Sequence, residues 1–551
     1  MLSTKNAQSN EFIEIELESS KKYADPFNEI IIDVVFTEPS GRTLCIPAFW
    51  SGNNTWRFRY SSTALGIHHF ITECSDQQNL KLHQISGEIN ILPYSGNNLL
   101  LRHGALRIAD DNRHFAHADG TPFLWLGDTW WMGLTKRLVW PEQFKQLTDE
   151  RKTKGFNVVQ IVAGLNPDMP AFDERGANEN GFPWEQDYSS IRPQFFDAAD
   201  KRIMHLVEQG IVPCIVGCWG FHLLWLGTEK MKQHWRYIIA RWGALPVVWA
   251  AAGEQTMPWY LSEDKENEKE QLKQQWSEVI RYLRQINGFQ RLITTHPQFS
   301  ARASVDDPHL LDFEMQQTGH HNPTELHAAY ASQGWNAEPI MPVITAESRY
   351  EAISITPAVT TRDARQAFWA HLLNSGCAGH TYGANGVWQV NQPDKPFGKS
   401  PGGNDWGALP WNEAMQLAGS NQLAAAKRFL LTLPWYNLHG VCKPKSRLAT
   451  VRFANILSSV KPKKPAVAAA ASPDGKIALY YLLYKKPIVI NMQRFSAEVH
   501  ASWIDPANGY KKAISNKAYI NKGKFKFSPP GKNSDGDSDW ILLLETKQCL
   551  M

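Results

Sequence analysis

Between about residue 120 and residue 440, short apolar runs alternate with longer amphipathic stretches, and this alternation constrains the fold more than any other feature. Eight of the runs read as strands: Phe123–Asp128, Phe156–Ala163, Ile211–Trp219, Val247–Glu254, Arg291–His296, Phe313–Thr318, Pro342–Glu347 and Gly379–Tyr382. Segments such as Pro141–Lys154, Pro193–Glu208, Glu268–Arg284 and Thr361–Asn374 read as the helices between them. Pro141 and Pro193 suit a first helical turn, where a missing amide hydrogen costs nothing. Eight strand–helix alternations over about 300 residues are what a (β/α)8 TIM barrel requires. A doubly wound open sheet is the rival topology, but no glycine-rich dinucleotide fingerprint follows the first strand.

The flanks have a different texture. Ile13, Ile15 and Leu17 alternate with Glu14, Glu16 and Glu18, the period of a strand with one wet face. Further β-rich runs follow at Ile30–Phe36, Thr43–Ile46 and Trp56–Tyr60, separated by turn compositions such as Ser51-Gly52-Asn53-Asn54. Toward the other end, Ala466–Ala471, Ile477–Tyr484, Ile488–Met492, Val499–Asp505, Lys524–Ser528 and Trp540–Glu545 read as strands. The expected organisation is an N-terminal β-sandwich over 1–100, a barrel over 101–440 and a second small β-sandwich over 441–551. The stretch Lys461-Pro462-Lys463-Lys464-Pro465 reads as a linker or edge, and Lys524-Phe525-Lys526-Phe527 as a strand with a solvated face. Asn533-Ser534-Asp535-Gly536-Asp537-Ser538-Asp539 lacks the closing glutamate of a calcium loop and reads as a plain surface turn.

Composition removes several functions. With 57 Lys and Arg against 54 Asp and Glu, the net charge of +3 gives no electrostatic reason to expect nucleic acid or an anionic membrane as partner. The seven cysteines form no CxxC, so neither a zinc knuckle nor a redox pair is expected. The first residues lack a signal-peptide core and no apolar run is long enough to span a bilayer, so the chain as given reads as cytoplasmic. Twenty-two tryptophans serve equally well for stacking on sugar rings or for a large aromatic core.

In such a barrel the active site lies at the C-terminal ends of the strands. The run Pro246–Gly253 ends abruptly in Glu254, and Pro339–Ala346 ends in Glu347-Ser348-Arg349-Tyr350-Glu351. These are strands 4 and 7, which brings both carboxylates to the barrel mouth. Glycoside hydrolysis needs two such groups, one to protonate the leaving oxygen and one to attack the anomeric carbon or activate water. The competing structural reading makes each glutamate a helix N-terminal residue, favoured there by the macrodipole.

From Asn10 to Glu545 the chain resembles the apiosidase-like glycoside hydrolases of the clan-A barrel superfamily. The resemblance is carried by Phe123-Leu124-Trp125-Leu126-Gly127-Asp128-Thr129-Trp130-Trp131, Gly155-Phe156-Asn157-Val158-Val159-Gln160, Gly253-Glu254, Gln317-Thr318-Gly319-His320 and Glu347-Ser348-Arg349-Tyr350-Glu351. It implies an N-terminal β-sandwich, a catalytic barrel and a C-terminal collagen-binding-type β-domain. It also implies Glu254 as acid/base and Glu347 as nucleophile of a retaining enzyme acting on a terminal sugar of a plant or algal glycan. The chain departs from the pattern at Ala252-Gly253-Glu254. The family often carries Asp at the acid/base position, and the wider clan precedes its Glu with an Asn that reaches the sugar 2-hydroxyl, a bond Gly253 cannot make.

Strand ends nominate the supporting residues. Asp128 closes strand 1 and can accept two hydrogen bonds from a sugar diol, or else cap the next helix. Trp130 and Trp131 are candidates for the pocket wall, Gln160 for a polar contact from strand 2, and Trp219 and His222 for the rim. His296 ends strand 5 and can bind a hydroxyl, while Gln317 and His320 can orient the nucleophile or hold the sugar. Arg349 is expected to keep Glu347 ionised, Tyr382 to hydrogen-bond Glu347, and Trp249 and Trp259 to supply the apolar setting that keeps Glu254 protonated. Two long loops, Asn166–Asp187 and Gln389–Trp411, are expected to shape the pocket. The expected partner is a carbohydrate, with no metal and no cofactor; homo-oligomerisation, glycan binding and simple buttressing are the candidate roles for the β-domains. Two rivals remain. A metal-dependent barrel hydrolase would use His296, His320, His321 and His380, but the sequence has neither the His-x-His nor the HExxH pattern. A non-catalytic carbohydrate-binding protein would have no use for both glutamates.

Overall fold

The computed structural model describes residues 2–354, 357–441 and 466–546; the Lys461–Pro465 stretch lies outside the described residues. Its centre is an eight-stranded parallel sheet: β1 (Trp125–Trp130), β2 (Val158–Val162), β3 (Val212–Val216), β4 (Val248–Ala250), β5 (Ile293–Thr294), β6 (Glu314–Gln317), β7 (Val343–Glu347) and β8 (Gly379–Tyr382). The order runs from β5 back through β1 to β8, β7 and β6, so β1 pairs with both β2 and β8 and the sheet curls almost into a closed barrel. At the β5–β6 seam three bonds stand in for a ladder. Asp312 N donates to Ile293 O at 2.8 Å, Ile293 N to Asp312 Oδ2 at 2.6 Å, and Thr294 Oγ1 to Phe313 O at 2.8 Å.

Helices α1 (Glu142–Thr153), α2 (Pro193–Glu208), α3 (Thr228–Trp242), α4 (Lys265–Ile286), α5 (Thr324–Trp335), α6 (Thr361–Asn374) and α7 (Ala418–Leu430) accompany the strands. Pro193 opens α2 as expected, and a Thr360–Asp363 capping box opens α6. After β5 the crossover shrinks to a single turn, Ala301–Ser304. A small antiparallel sheet of Leu106–Ile108, Phe115–His117 and Pro122–Phe123 packs Phe115 against Trp125 and Phe313, at ring separations of 5.5 and 5.0 Å, and so stoppers the end of the barrel remote from the strand C-termini.

Before the barrel, a five-stranded and a three-stranded sheet enclose Ile15, Leu17, Phe36, Trp56, Phe58 and Phe70. Phe36 and Tyr60 stack at 3.7 Å across this core. The wet face of Ile13–Glu18 meets Thr55–Tyr60, where Arg59 takes Glu14 and then reaches Asp200 on α2 at 2.6 Å.

After the barrel comes a six-stranded sheet whose two faces serve different cores. In the strand Ile477–Leu482, Ile477, Leu479 and Tyr481 join the barrel core, while Ala478, Tyr480 and Leu482 face a separate core closed by the pair Ile488–Asn491 and Lys524–Phe527. The two-residue period of a strand produces this division without any special residue. Lys524 and Lys526 are exposed and Phe527 is buried, as the alternation requires. The acidic turn 533–539 is not the plain surface turn its sequence suggested. Asp535, Asp537 and Asp539 close on the guanidinium of Arg365 from α6 at 2.8, 2.6 and 3.0 Å. Among the described residues no helix is long and apolar enough to cross a membrane.

Candidate active site

The C-terminal ends of the strands surround a cavity of about 260 Å³, slightly below the roughly 300–1,000 Å³ that drug-sized ligands occupy. Of the residues expected in the site, Trp131, Trp219, Glu254, Gln317, His320 and Glu347 line it. A larger hollow of about 960 Å³ lies against the C-terminal sheet among Tyr480, Ile488, Ile490 and Arg494, but its described lining includes no carboxylate and so no acid–base pair.

Glu254 stands just beyond β4 with a φ of 39°, a conformation few residues with a side chain adopt. Its neighbours hold it there: Gly253 N donates to Cys218 O at 2.9 Å, Gly220 N to Gly253 O at 2.7 Å, and Gln255 N to His296 O at 3.0 Å. Gly253 has to be glycine, because a Cβ there would lie 2.1 Å from the Trp219 ring. The indole therefore occupies the space that an asparagine before the glutamate would need. Glu347 is the last residue of β7, with its carbonyl accepting from Thr318 N at 2.8 Å.

One amide joins the two acids. Gln317 Nε2 donates to Glu254 Oε1 at 2.9 Å and to Glu347 Oε1 at 3.0 Å. The two hydrogens of an amide nitrogen diverge by about 120°, and at that ideal angle the two acceptor oxygens would lie about 5 Å apart. Glu347 has further partners: Tyr350 donates to Oε2 at 2.9 Å, His320 Nε2 lies 3.2 Å from Oε1, and His296 Nε2 lies 3.6 Å from Oε2. Burial works against its charge, but the His320 contact, the other histidine and Tyr350 hold its carboxyl below the ordinary glutamate value. Glu254 moves the other way. Burial, reinforced by the charge of Glu347 and of Asp168, pushes it up to about 8.

Seven expected contacts fall elsewhere. Asp128 is wholly buried on the wall side of β1, paired with Arg151 Nε at 2.5 Å and accepting from Trp130 Nε1 at 2.8 Å, so neither Asp128 nor Trp130 meets the cavity. Gln160 is also sealed in the barrel, donating to Ala346 O at 3.0 Å and steadying the end of β7. His296 lies behind Glu347, edge-on to Trp131, and burial lowers it to about 4. Arg349 turns outward to Asn322 O and to Asp363 at 3.2 Å, so hydrogen bonds rather than an arginine keep Glu347 charged. Tyr382 donates to Glu351 Oε2 at 2.5 Å; the tyrosine on Glu347 is Tyr350. His222 is likewise buried, bound to Asn166 O at 3.0 Å. Trp219 and Met257 line the cavity with Glu254, whereas Trp249 packs on Trp235 and Trp259 on Phe221 and Trp225.

Among the lining residues not foreseen are Tyr350, Asp168, Tyr260, Trp388 and Trp406. Tyr350 lay within the Glu347–Glu351 motif, and Asp168 and Trp406 within the two long loops already singled out, but loop sequence does not say which side chain turns inward. Asp168 accepts from Tyr260 Oη at 2.6 Å, and burial, aided by the charge of Glu347, pushes it up to about 6. No group of three or more His, Cys, Asp or Glu placed to hold a metal occurs among the described residues.

Comparison with known proteins follows the same lines. Residues 7–75 match a "Domain of unknown function (DUF5060)", and residues 455–545 match a "Putative collagen-binding domain of a collagenase". Among solved structures, a glycoside hydrolase family 5 protein from Bacteroides vulgatus ATCC 8482 is 21% identical at a TM-score of 0.64, covering 81% of this chain and 94% of its own. A "putative glycoside hydrolase" from the same strain is 15% identical at a TM-score of 0.68, covering 98% of this chain and 100% of its own. At these identities the likeness establishes the fold. No curated protein matches the chain. The description "Apiosidase-like, catalytic domain" matches residues 109–437. That match takes in the whole barrel and more than half of the chain, and the protein belongs to the apiosidase-like family of glycoside hydrolases.

Proposed function

We propose that the protein is a retaining glycoside hydrolase that removes a terminal sugar from a plant or algal oligosaccharide or polysaccharide fragment, with Glu347 as nucleophile and Glu254 as acid/base. The observation that carries this reading is the single Gln317 amide donating to both carboxyl groups. A separation of about 5 Å falls in the range for double displacement and leaves no room for the water that an inverting enzyme places between its acids.

In the first step Glu347 attacks the anomeric carbon while Glu254 gives its proton to the departing glycosidic oxygen, so an ester to Glu347 forms as the glycosidic bond breaks. Because Gln317 occupies Oε1 of Glu254, Oε2 is the oxygen available to carry that proton. In the second step Glu254, now ionised, takes a proton from water, whose oxygen attacks the anomeric carbon and releases Glu347. The same proposal places the functional domain limits at 1–100, 101–440 and 441–551.

The test is a screen of aryl glycosides and oligosaccharide fragments, with the first-formed anomer followed by NMR. Retention supports the assignment, whereas inversion removes the nucleophile role of Glu347. Glu347→Gln is expected to lower kcat by roughly 10⁴-fold or more.

A further inference from the structure

The catalytic pair leaves Asp168 unexplained. It enters the cavity wall from the loop after β2 and is only 6% exposed. Its position is fixed from two sides. Arg175 Nη2 donates to its backbone carbonyl at 3.3 Å, and Arg175 is itself paired to Asp173 at 2.8 Å and set 4.8 Å from the centre of the Phe397 ring. On the side-chain end, Tyr260 holds Oδ1. Trp406, from the segment after β8, lines the same cavity. Its buried indole N–H approaches Asp168 without reaching hydrogen-bonding geometry with any group among the described residues.

An ionised carboxylate only accepts hydrogen bonds and an indole N–H only donates them, whereas a hydroxyl does both. The two groups side by side therefore fit one hydroxyl, donating to Asp168 and accepting from Trp406. A ring carboxylate or sulfate in that place would face an acceptor of its own sign. The described cavity lining carries three carboxyl groups, Asp168, Glu254 and Glu347, and no lysine or arginine to offset them. Resting on the reading of the cavity as a glycosidase site, we infer that Asp168 and Trp406 together read one hydroxyl of the bound sugar and set a preference for uncharged over anionic rings.

The experiment uses the full chain with aryl glycosides of neutral pentoses and hexoses, each hexoside paired with its uronide, in both anomeric forms. The wild type is expected to favour the neutral member of a pair by at least about 100-fold in kcat/KM. Asp168→Asn is expected to lower kcat/KM on the best neutral substrate by about 10–100-fold and to narrow the neutral-to-uronide ratio by about tenfold. Trp406→Phe, which keeps the ring but not the N–H, is expected to lower it by about 3–30-fold. In a monodeoxy series of the best substrate, one member should be poor for the wild type and no poorer for Asp168→Asn, which identifies the hydroxyl being read.

Equal turnover of neutral and uronide pairs by the wild type overturns the inference, as does an effect of less than twofold in both variants. Should Asp168→Asn fail to fold, Trp406→Phe and the deoxy series decide alone. If no glycoside is hydrolysed, tryptophan fluorescence with the same glycosides separates the two readings. Saturable quenching by a neutral glycoside that both variants weaken supports the hydroxyl assignment while the catalytic reading falls. Quenching by none of them overturns both.

Discussion

Glu254 and Glu347 are the same side chain sharing one amide donor, yet their surroundings drive their proton affinities apart. The proposed first step needs Glu347 ionised and Glu254 protonated. The kcat/KM profile is therefore expected to be a bell, with its acid limb below the ordinary glutamate value of 4.5 and its alkaline limb near about 8. Gln317 donates to Glu254 and so favours its charged form. Gln317→Met is expected to move the alkaline limb upward as well as to reduce kcat, and a pH series on the variant checks this. Stability carries the same sign. A carboxyl with a raised folded-state value keeps its proton in the folded protein after the unfolded chain has released it, so stability falls as pH rises from 4.5 to about 8. Glu254→Gln removes that loss, and its Tm advantage over the wild type should grow across this window. A constant difference across the window, or one that shrinks with pH, would contradict the assignment.

At the scale of elements, the barrel strands were legible because they are short, apolar and evenly spaced, whereas the direction of their terminal side chains was not. Glu347 closes β7, but Asp128 lies two residues before the end of β1 and turns into the wall. There Arg151 from α1 meets it, with both side chains fully buried. Such a pair is costly to break from one side, because the buried guanidinium then keeps only Glu150 and the Met415 carbonyl as partners. Asp128→Asn is therefore expected to destabilise the fold by about 3–5 kcal/mol, as measured by urea unfolding, while KM stays within about twofold. A large rise in KM at unchanged stability would return Asp128 to the sugar site. The period-2 pattern of Ile477–Leu482 was just as readable, but its result, one face on the barrel and one on a separate core, needed the neighbouring elements to be in place.

Across the whole molecule, the flanking sheets are joined to the barrel by buried arginines working in opposite directions. Arg59 reaches from the N-terminal sheet to Asp200, and Arg365 reaches from α6 into the acidic turn of the C-terminal sheet. Arg365→Ala leaves three carboxylates facing one another and is expected to cost about 3–5 kcal/mol, with the C-terminal sheet becoming the first site of limited proteolysis. Calcium or chelator should leave the Tm of the wild type unchanged, because a guanidinium already fills the loop. The tryptophans also divide only at this scale. Nine are fully buried, among them Trp56, Trp125 and Trp276, while Trp131, Trp219, Trp388 and Trp406 line the cavity.

By itself the sequence determined the barrel, its β-rich flanks and the two glutamates at strand ends. Hydrophobic periodicity and strand polarity are local properties, and a barrel's strand ends converge wherever they occur. Only the tertiary structure decided that Tyr350 rather than Tyr382 serves Glu347, that hydrogen bonds rather than Arg349 keep it charged, and that Asp168 and Trp406 meet from loops far apart in the chain. Those outcomes depend on which way a side chain leaves its backbone and on what packs beside it, and neither is encoded in spacing along the chain.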